Sequence, residues 1–204
     1  MLAWCPMPEL VDDQDKYGEV IARELQQAAG VLSATRVQAP LIAEIAARTI
    51  ASLSRGNKVL LCGNGGSAAD AQHIATELVA RYTRDRQPFG AIALAMDPTF
   101  LTAMSNDVGF EHVFARQVEA LGKPGDVLWA LSTSGNSANV LAAAAIARQI
   151  GLTTVGFTSS NGGALPSLVD ICLHIPAQDT ARVQEAHMAV AHIICGLIEQ
   201  AICV

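Results

Sequence analysis

Five short apolar runs, most of them separated by helical patterns, constrain this chain more than any other feature. They are KVLLCG (58–63), FGAIALA (89–95), DVLWALS (126–132), TTVGFTS (153–159) and DICLHIP (170–176). Nearly continuous apolar strands, as opposed to alternating ones, belong in a parallel sheet covered on both faces. The segments between them carry helical periodicity, among them FEHVFARQVEALG, SANVLAAAAIARQIG and a short GGALPSLV. The expected fold is therefore α/β: a three-layer αβα sandwich around a five-stranded parallel sheet. Two more helical patterns, YGEVIARELQQAAGVLSA and QAPLIAEIAARTIASLSR, precede the first strand. They predict an N-terminal helical hairpin, with Pro40 in the first turn of its second helix. The helix after the first strand is expected to run to Tyr82, and a final helix from Thr180 to Ile202.

A chain of 204 residues suits one domain with a sizeable core, here 1–55 as helices and 56–204 as the α/β part. Its 51% hydrophobic and 16% charged residues exclude disorder and favour burial between subunits. A net charge of −6 argues against a nucleic-acid binder, which carries a basic stripe. The 5 cysteines lack CxxC spacing, the usage of a reducing compartment. The opening MLAWCPMPELVDDQDKYG has no basic start and does not read as a secretory leader. The apolar C-terminal stretch carries His192 and Glu199, so a buried helix is expected there in place of a membrane span. A cytoplasmic location follows as the expectation.

In parallel α/β sheets, ligands bind beyond the carboxyl ends of the strands. Two of those ends resemble each other. KVLLCGNGGSAADA and DVLWALSTSGNSANVLAA each run from strand through a Gly/Ser/Asn loop into serine-alanine and a helix. Ser67 and Ser137 stand where helix N-caps are expected. Ser132, Thr133, Ser134 and Ser137 gather four hydroxyls at one helix N-terminus, where amides and helix dipole favour an anion. Ordinary turn and cap chemistry uses the same residues. Neither loop matches GxGxxG or GxxxxGK[ST], which disfavours dinucleotide and nucleoside-triphosphate sites. A serine-rich loop without lysine points to a phosphate on a small molecule.

On the helix after the first loop, Asp70, His73, Glu77 and Arg81 step by three and four and share one face. A solvated stripe of paired charges and a metal-chelating His73–Glu77 turn are both compatible with that spacing. The last helix adds Gln184, Glu185, His187 and His192 in increasingly apolar company. Gln184 and His192 lie about two turns apart.

CGNGGSAADAQHIATEL, SNDVGF, LSTSGNSANV and RVQEAHMAVAHIICGLIE, taken together and in this order, resemble the sugar isomerase (SIS) family over roughly residues 15–202. The resemblance implies a single SIS domain and an aldose–ketose isomerase acting on sedoheptulose 7-phosphate. Its product would be D-glycero-D-manno-heptose 7-phosphate, the first intermediate towards nucleotide-activated heptose and bacterial surface polysaccharide such as lipopolysaccharide. The resemblance also implies a homotetramer with active sites between subunits. Carried over, Asn64, Gly65, Gly66, Ser67, Asn106, Asp107 and Gln184 would bind substrate, with Ser132, Thr133, Ser134 and Ser137 on the phosphate. Glu77, also a substrate contact, and His192 would be the catalytic acid/base pair. His73, Glu77, Gln184 and His192 match a zinc site of the family. Many members carry an acid where this chain has Ala181; Asp179 lies two residues earlier and is left without a role.

The main rival is a non-enzymatic, phosphosugar-binding SIS regulator of the replication-initiator-associating type, which lacks equivalents of the catalytic glutamate and histidine. Glu77 and His192 favour the enzyme. A sensor fused to a DNA-binding domain is disfavoured, because residues 1–55 show no basic patch or helix-turn-helix.

Overall fold

A computed structural model describes residues 14–203; the first 13 residues of the opening stretch without a leader's pattern lie outside the described residues. Helices α1 (Gln14–Thr35) and α2 (Ala39–Leu53) come first. Strands β1 (Lys58–Cys62), β2 (Gly90–Ala93), β3 (Val127–Leu131), β4 (Thr153–Ser159) and β5 (Ile171–Ile175) follow. Interleaved with them are α3 (Gly66–Val79), α4 (Pro98–Asp107), α5 (Val113–Leu121) and α6 (Ala138–Gln149), and α7 (Thr180–Ile202) closes the chain. All strands pair in parallel, in the order β2-β1-β3-β4-β5. The expected sandwich and five-stranded sheet are present; the two N-terminal helices form as well, but each packs against α7, with little contact between them, in place of the expected hairpin. The order reverses between β1 and β3, so the loops leaving these two strands stand side by side.

Alternation along the strands divides the core. Val59, Leu61, Val127, Trp129, Val155 and Phe157 point to the face covered by α2, α3 and α7. Leu60, Cys62, Leu128 and Ala130 point to the face covered by α5 and α6, where Ala143, Ala144 and Ala147 let α6 lie close. With both faces covered, the strands need the continuous apolar runs seen in the sequence. Asp126 seats the start of the sheet: its carboxylate accepts from Lys58 N at 3.0 Å and Lys123 N at 2.8 Å and pairs with the Lys58 ammonium.

Three elements differ from expectation. Helix α4, which begins with an Asp97 cap on Phe100 N, was hidden in a segment that lacks a clear apolar face. The GGALPSLV segment forms only a 3₁₀ turn, Leu165–Ser167, because Pro166 and the preceding glycines leave little room for a longer helix. Helix α3 ends at Val79, short of Tyr82, so Arg81 lies beyond the polar stripe it was expected to join. The cause is Glu199 on α7. Its buried carboxylate accepts from Tyr82 N (2.8 Å), Thr83 N and Oγ1 (2.9 Å each), Arg84 N (3.0 Å) and Arg86 Nε (3.0 Å). Arg86 in turn donates to Glu77 O and Leu78 O, both at 2.8 Å, taking up the last carbonyls of α3. Those amides therefore serve Glu199 in place of a further helical turn.

Burial alone would push the Glu199 carboxyl up, but the hydrogen bonds from Thr83, Tyr82 and Arg84 outweigh it and hold the group at about 2. A folded value below the unfolded one stabilises above the unfolded value and is lost as pH falls towards about 2. Glu199→Gln leaves Arg86 without its charge partner. At fixed protein concentration, near neutral pH, denaturant unfolding should show a loss of about 3–5 kcal/mol.

Candidate active site

Asn64 and Asn139 join the two neighbouring strand-end loops. The Asn64 Nδ2 donates to Asn139 Oδ1 and the Asn139 Nδ2 to Asn64 Oδ1, both at 2.8 Å. Asn139 is buried and was not anticipated, although a lone asparagine in the alanine-rich opening of α6 is its sequence signal. Between the loops lies a cleft of about 290 Å³ edged by Asn64, Phe110, Ser137 and Asn139.

In the second loop the hydroxyls cluster. Ser132 Oγ lies 3.1 Å from Ser137 Oγ and 3.4 Å from Ser134 Oγ, and it accepts from Gly135 N at 3.1 Å. Ser137 holds the N-cap position of α6, but its side chain makes no capping bond. Its hydroxyl faces Ser132 instead, which keeps it free of the helix amides. The first amides of α6 to find loop acceptors are those of Val140 and Leu141, both on Ser137 O at 3.0 Å; the earlier amides are the open donors of a helix N-terminus. Gly135, at φ +65°, supports this turn from behind, because a Cβ there would lie 1.8 Å from Gly162 O. Thr133 and Ser134 face a second cleft of about 340 Å³, shared with Asn136, Asn161 and Gln178.

The first loop departs from expectation at its cap. Gly65, not Ser67, is the N-cap of α3, and Ser67 is buried inside the first turn. Three consecutive small residues let the helix start two residues early, which turns the Ser67 side chain into the packing beside Gly63.

Helices α3 and α7 bring the acid/base candidates together. His73 Nε2 is 3.0 Å from His192 Nε2 and 3.3 Å from Glu77 Oε1. Ligand atoms of all three residues lie within 4.8 Å of one another, among the described residues the one His/Cys/Asp/Glu group spaced to hold a metal ion. His192 is half-buried, not enclosed, and stacks on Tyr82 with ring centroids 5.6 Å apart. No sequence signal pointed to Tyr82; Glu199 holds its amide and so sets where the ring lies. Gln184 reaches α3 one turn further on, donating from Nε2 to Asp70 Oδ1 at 3.3 Å. A cleft of about 530 Å³ runs along this seam, edged by Asp70, Gln184, Glu185 and His192. Burial pushes the Asp70 carboxyl above its ordinary value, while the bond from Gln184 and the charge of His73 act the other way.

Other candidates stay apart. Asn106 and Asp107 sit exposed at the end of α4, where the Asn106 Nδ2 donates to Asp107 Oδ1 at 2.8 Å. Among the described residues, no hydrogen bond links them to the serine loop or the histidine pair. Asp179 caps α7 through Arg182 N at 3.0 Å, a structural task for the acid that had none. The four described cysteines are unpaired. Among the described residues, no helix is long and apolar enough to cross a membrane.

The SIS domain family model matches residues 25–159. A phosphoheptose isomerase of Roseiflexus sp. (strain RS-1) is 52% identical over 187 residues, covering 91% of this chain and 95% of that protein. One from Rhodospirillum rubrum is 53% identical over 165 residues, covering 81% and 88%. Among solved structures, a phosphoheptose isomerase from Neisseria gonorrhoeae matches with a TM-score of 0.86 at 37% identity. That match covers 90% of this chain and 99% of the other.

His187 shares α7 with the site residues but faces the core, 1% exposed and edge-on to Phe157. Its Nε2 lies 3.4 Å from Thr158 O and its Nδ1 is buried without a partner. Burial lowers it from 6.5 to about 4, against the bond to Thr158. Between those values the unfolded chain binds the extra proton, so stability falls as pH drops through this window. Urea unfolding should show roughly 3 kcal/mol of acid destabilisation from this group. His187→Phe should remove that slope.

Proposed function

From a chain that belongs to the SIS-domain family, in its phosphoheptose isomerase branch, we infer an aldose–ketose isomerase. It converts D-sedoheptulose 7-phosphate to D-glycero-D-manno-heptose 7-phosphate, the entry to ADP- or GDP-heptose and so to surface lipopolysaccharide. The observation that carries this reading is the junction of His73, Glu77 and His192 across α3 and α7, beside a loop of clustered hydroxyls at a helix N-terminus.

The roles follow from that chemistry. Ser132, Thr133, Ser134 and Ser137 hold the phosphate, with the open amides of α6 and its dipole adding favourable potential. Asn64, Gly65, Gly66, Glu77 and Gln184 line the sugar chain, and Ser67, buried in the first turn of α3, supports the loop from within. Glu77, 19% exposed at its side chain, takes a proton from C1 of the ketose and returns it to C2 of the enediol. His192 gives a proton to O2 as the C2 carbonyl is lost, and receives the O1 proton as the aldehyde forms. No proton is gained or lost overall. Two imidazoles, a carboxylate and the Gln184 amide oxygen suit zinc, which favours nitrogen and oxygen ligands in this number. Zinc held by His73, Glu77, Gln184 and His192 would supply Lewis-acid polarisation of the carbonyl.

Asn106 and Asp107 complete the site from another protomer in a homotetramer. The exposed Tyr17, Ile21 and Leu25 along α1 support such an assembly. Unpaired cysteines support a cytoplasmic enzyme. The whole chain, 1–204, acts as a single SIS domain. A non-catalytic SIS regulator is not favoured, because Glu77 and His192 are present and adjacent to His73.

Incubation with sedoheptulose 7-phosphate should yield the aldose product. Glu77→Gln and His192→Gln should each lower kcat by about 10²–10⁴ while the oligomer stays folded; near-normal turnover in both would overturn the assignment. Elemental analysis of protein purified without chelator or affinity tag should find zinc, and EDTA should reduce activity. Full activity in EDTA with no zinc present would remove the metal role.

A further inference from the structure

Asp70 is the acid of the α3 stripe that the reaction leaves without a task. It is 7% exposed, and its Oδ2 is buried with no hydrogen-bond partner. Its Oδ1 accepts from Gln184 Nε2. The Gln184 carboxamide also lies against Gly66, where a Cβ would come within 2.4 Å of both Nε2 and Oε1. The amide is therefore wedged between the first turn of α3 and the Asp70 carboxylate.

A carboxamide offers an acceptor on one side and two donors on the other, and a half-turn exchanges them. An ionised carboxylate only accepts. Beside Asp70, the Gln184 NH₂ turns to the carboxylate and the carbonyl oxygen turns away. Among the described residues that Oε1 makes no hydrogen bond, and Gln184 edges the same cleft as His192. With the opposite flip, the cleft would meet an N–H donor, which repels a cation and mispairs with a sugar oxygen that needs to donate.

We propose that Asp70 is a positioning residue that sets the flip of Gln184, so that its carbonyl oxygen faces zinc and substrate. This rests on the reading of the site given above. Partners of this kind are worth about 10–100-fold in metal affinity or activity.

Zinc affinity, measured by chelator competition, and kcat and KM for sedoheptulose 7-phosphate are compared in five proteins. They are the wild type, Asp70→Leu, Asp70→Asn, Gln184→Ala and the Asp70→Leu/Gln184→Ala double variant, each checked for unchanged assembly and melting. Asp70→Leu should weaken zinc binding by about 10–100-fold. Asp70→Asn, whose carboxamide can offer Gln184 either an acceptor or a donor and so no longer fixes the flip, should recover only part of that loss. In the Gln184→Ala background, Asp70→Leu should add nothing, the coupling expected of two residues that act as one unit. Should the wild type isomerise without taking up zinc, the same comparison is read in KM.

Three results overturn the proposal: Asp70→Leu matching the wild type, Asp70→Asn matching the wild type, or a Leu effect undiminished without Gln184. A wild-type protein with neither isomerase activity nor zinc uptake would instead overturn the reading of the site itself.

Discussion

One buried carboxylate fixes the register between the two helices that carry the acid/base candidates. Glu199 is 1% exposed, yet it is fully occupied by the backbone of residues 82–84, the Thr83 hydroxyl and the Arg86 guanidinium. A charge so placed is tolerable only when each oxygen has donors, and these donors come from the segment that ends α3. Arg86 closes the circuit by binding the carbonyls of Glu77 and Leu78. The backbone of Glu77 is thereby tied to α7 through Arg86 and Glu199. His192 lies two turns before Glu199 on α7, so the same node that stops α3 also decides which α3 residues His192 meets. Apolar packing of Ile74, Leu78, Val190 and Ile194 holds the helices together but tolerates sliding; the polar node does not.

The sheet supplies the second constraint. Strand order reverses between β1 and β3, so helices α3 and α6 leave adjacent strands towards opposite faces. Their N-termini flank one crevice, and both dipoles present positive potential to it. The reciprocal Asn64–Asn139 pair spans this crevice and sets the spacing of the two loops. Positive potential at this crevice therefore comes from backbone geometry and does not require a basic chain, whose net charge here is −6.

The sheet and most helices were legible because burial on both faces demands uninterrupted apolar strands, and KVLLCG or DVLWALS can do little else. The ends of α7 were legible for the same reason: Asp179 and the apolar run leave few alternatives. What the sequence concealed was set by partners remote in the chain. The stop of α3 at Val79 depends on Glu199, more than a hundred residues away, and no local breaker marks it. Ser67 looked like a cap by type, but Gly65 took that position, because a glycine reaches the required positive φ without strain. Among the site residues, His73, Glu77 and His192 did converge. Asn106 and Asp107 did not join them, because motif order along the chain does not display the distance between elements in space. Asn139 and Tyr82 were missed because their importance lies in whom they face.

The histidine pair shows why this junction is suited to a ligand. Two Nε2 atoms 3.0 Å apart form a hydrogen bond in which one imidazole donates and the other accepts. Glu77 Oε1, 3.3 Å from the His73 nitrogen, adds a third acceptor to the same small volume. Three acceptor-capable atoms within 4.8 Å of one another leave a local excess of lone pairs. An electropositive partner relieves that excess, whether a divalent cation or the hydroxyl hydrogens of a sugar. The half-exposed His73 keeps the junction reachable from solvent, whereas His187, five residues from His192 and sealed in the core, has no such access. Burial thus separates two histidines of one helix into a core residue and a chemical one.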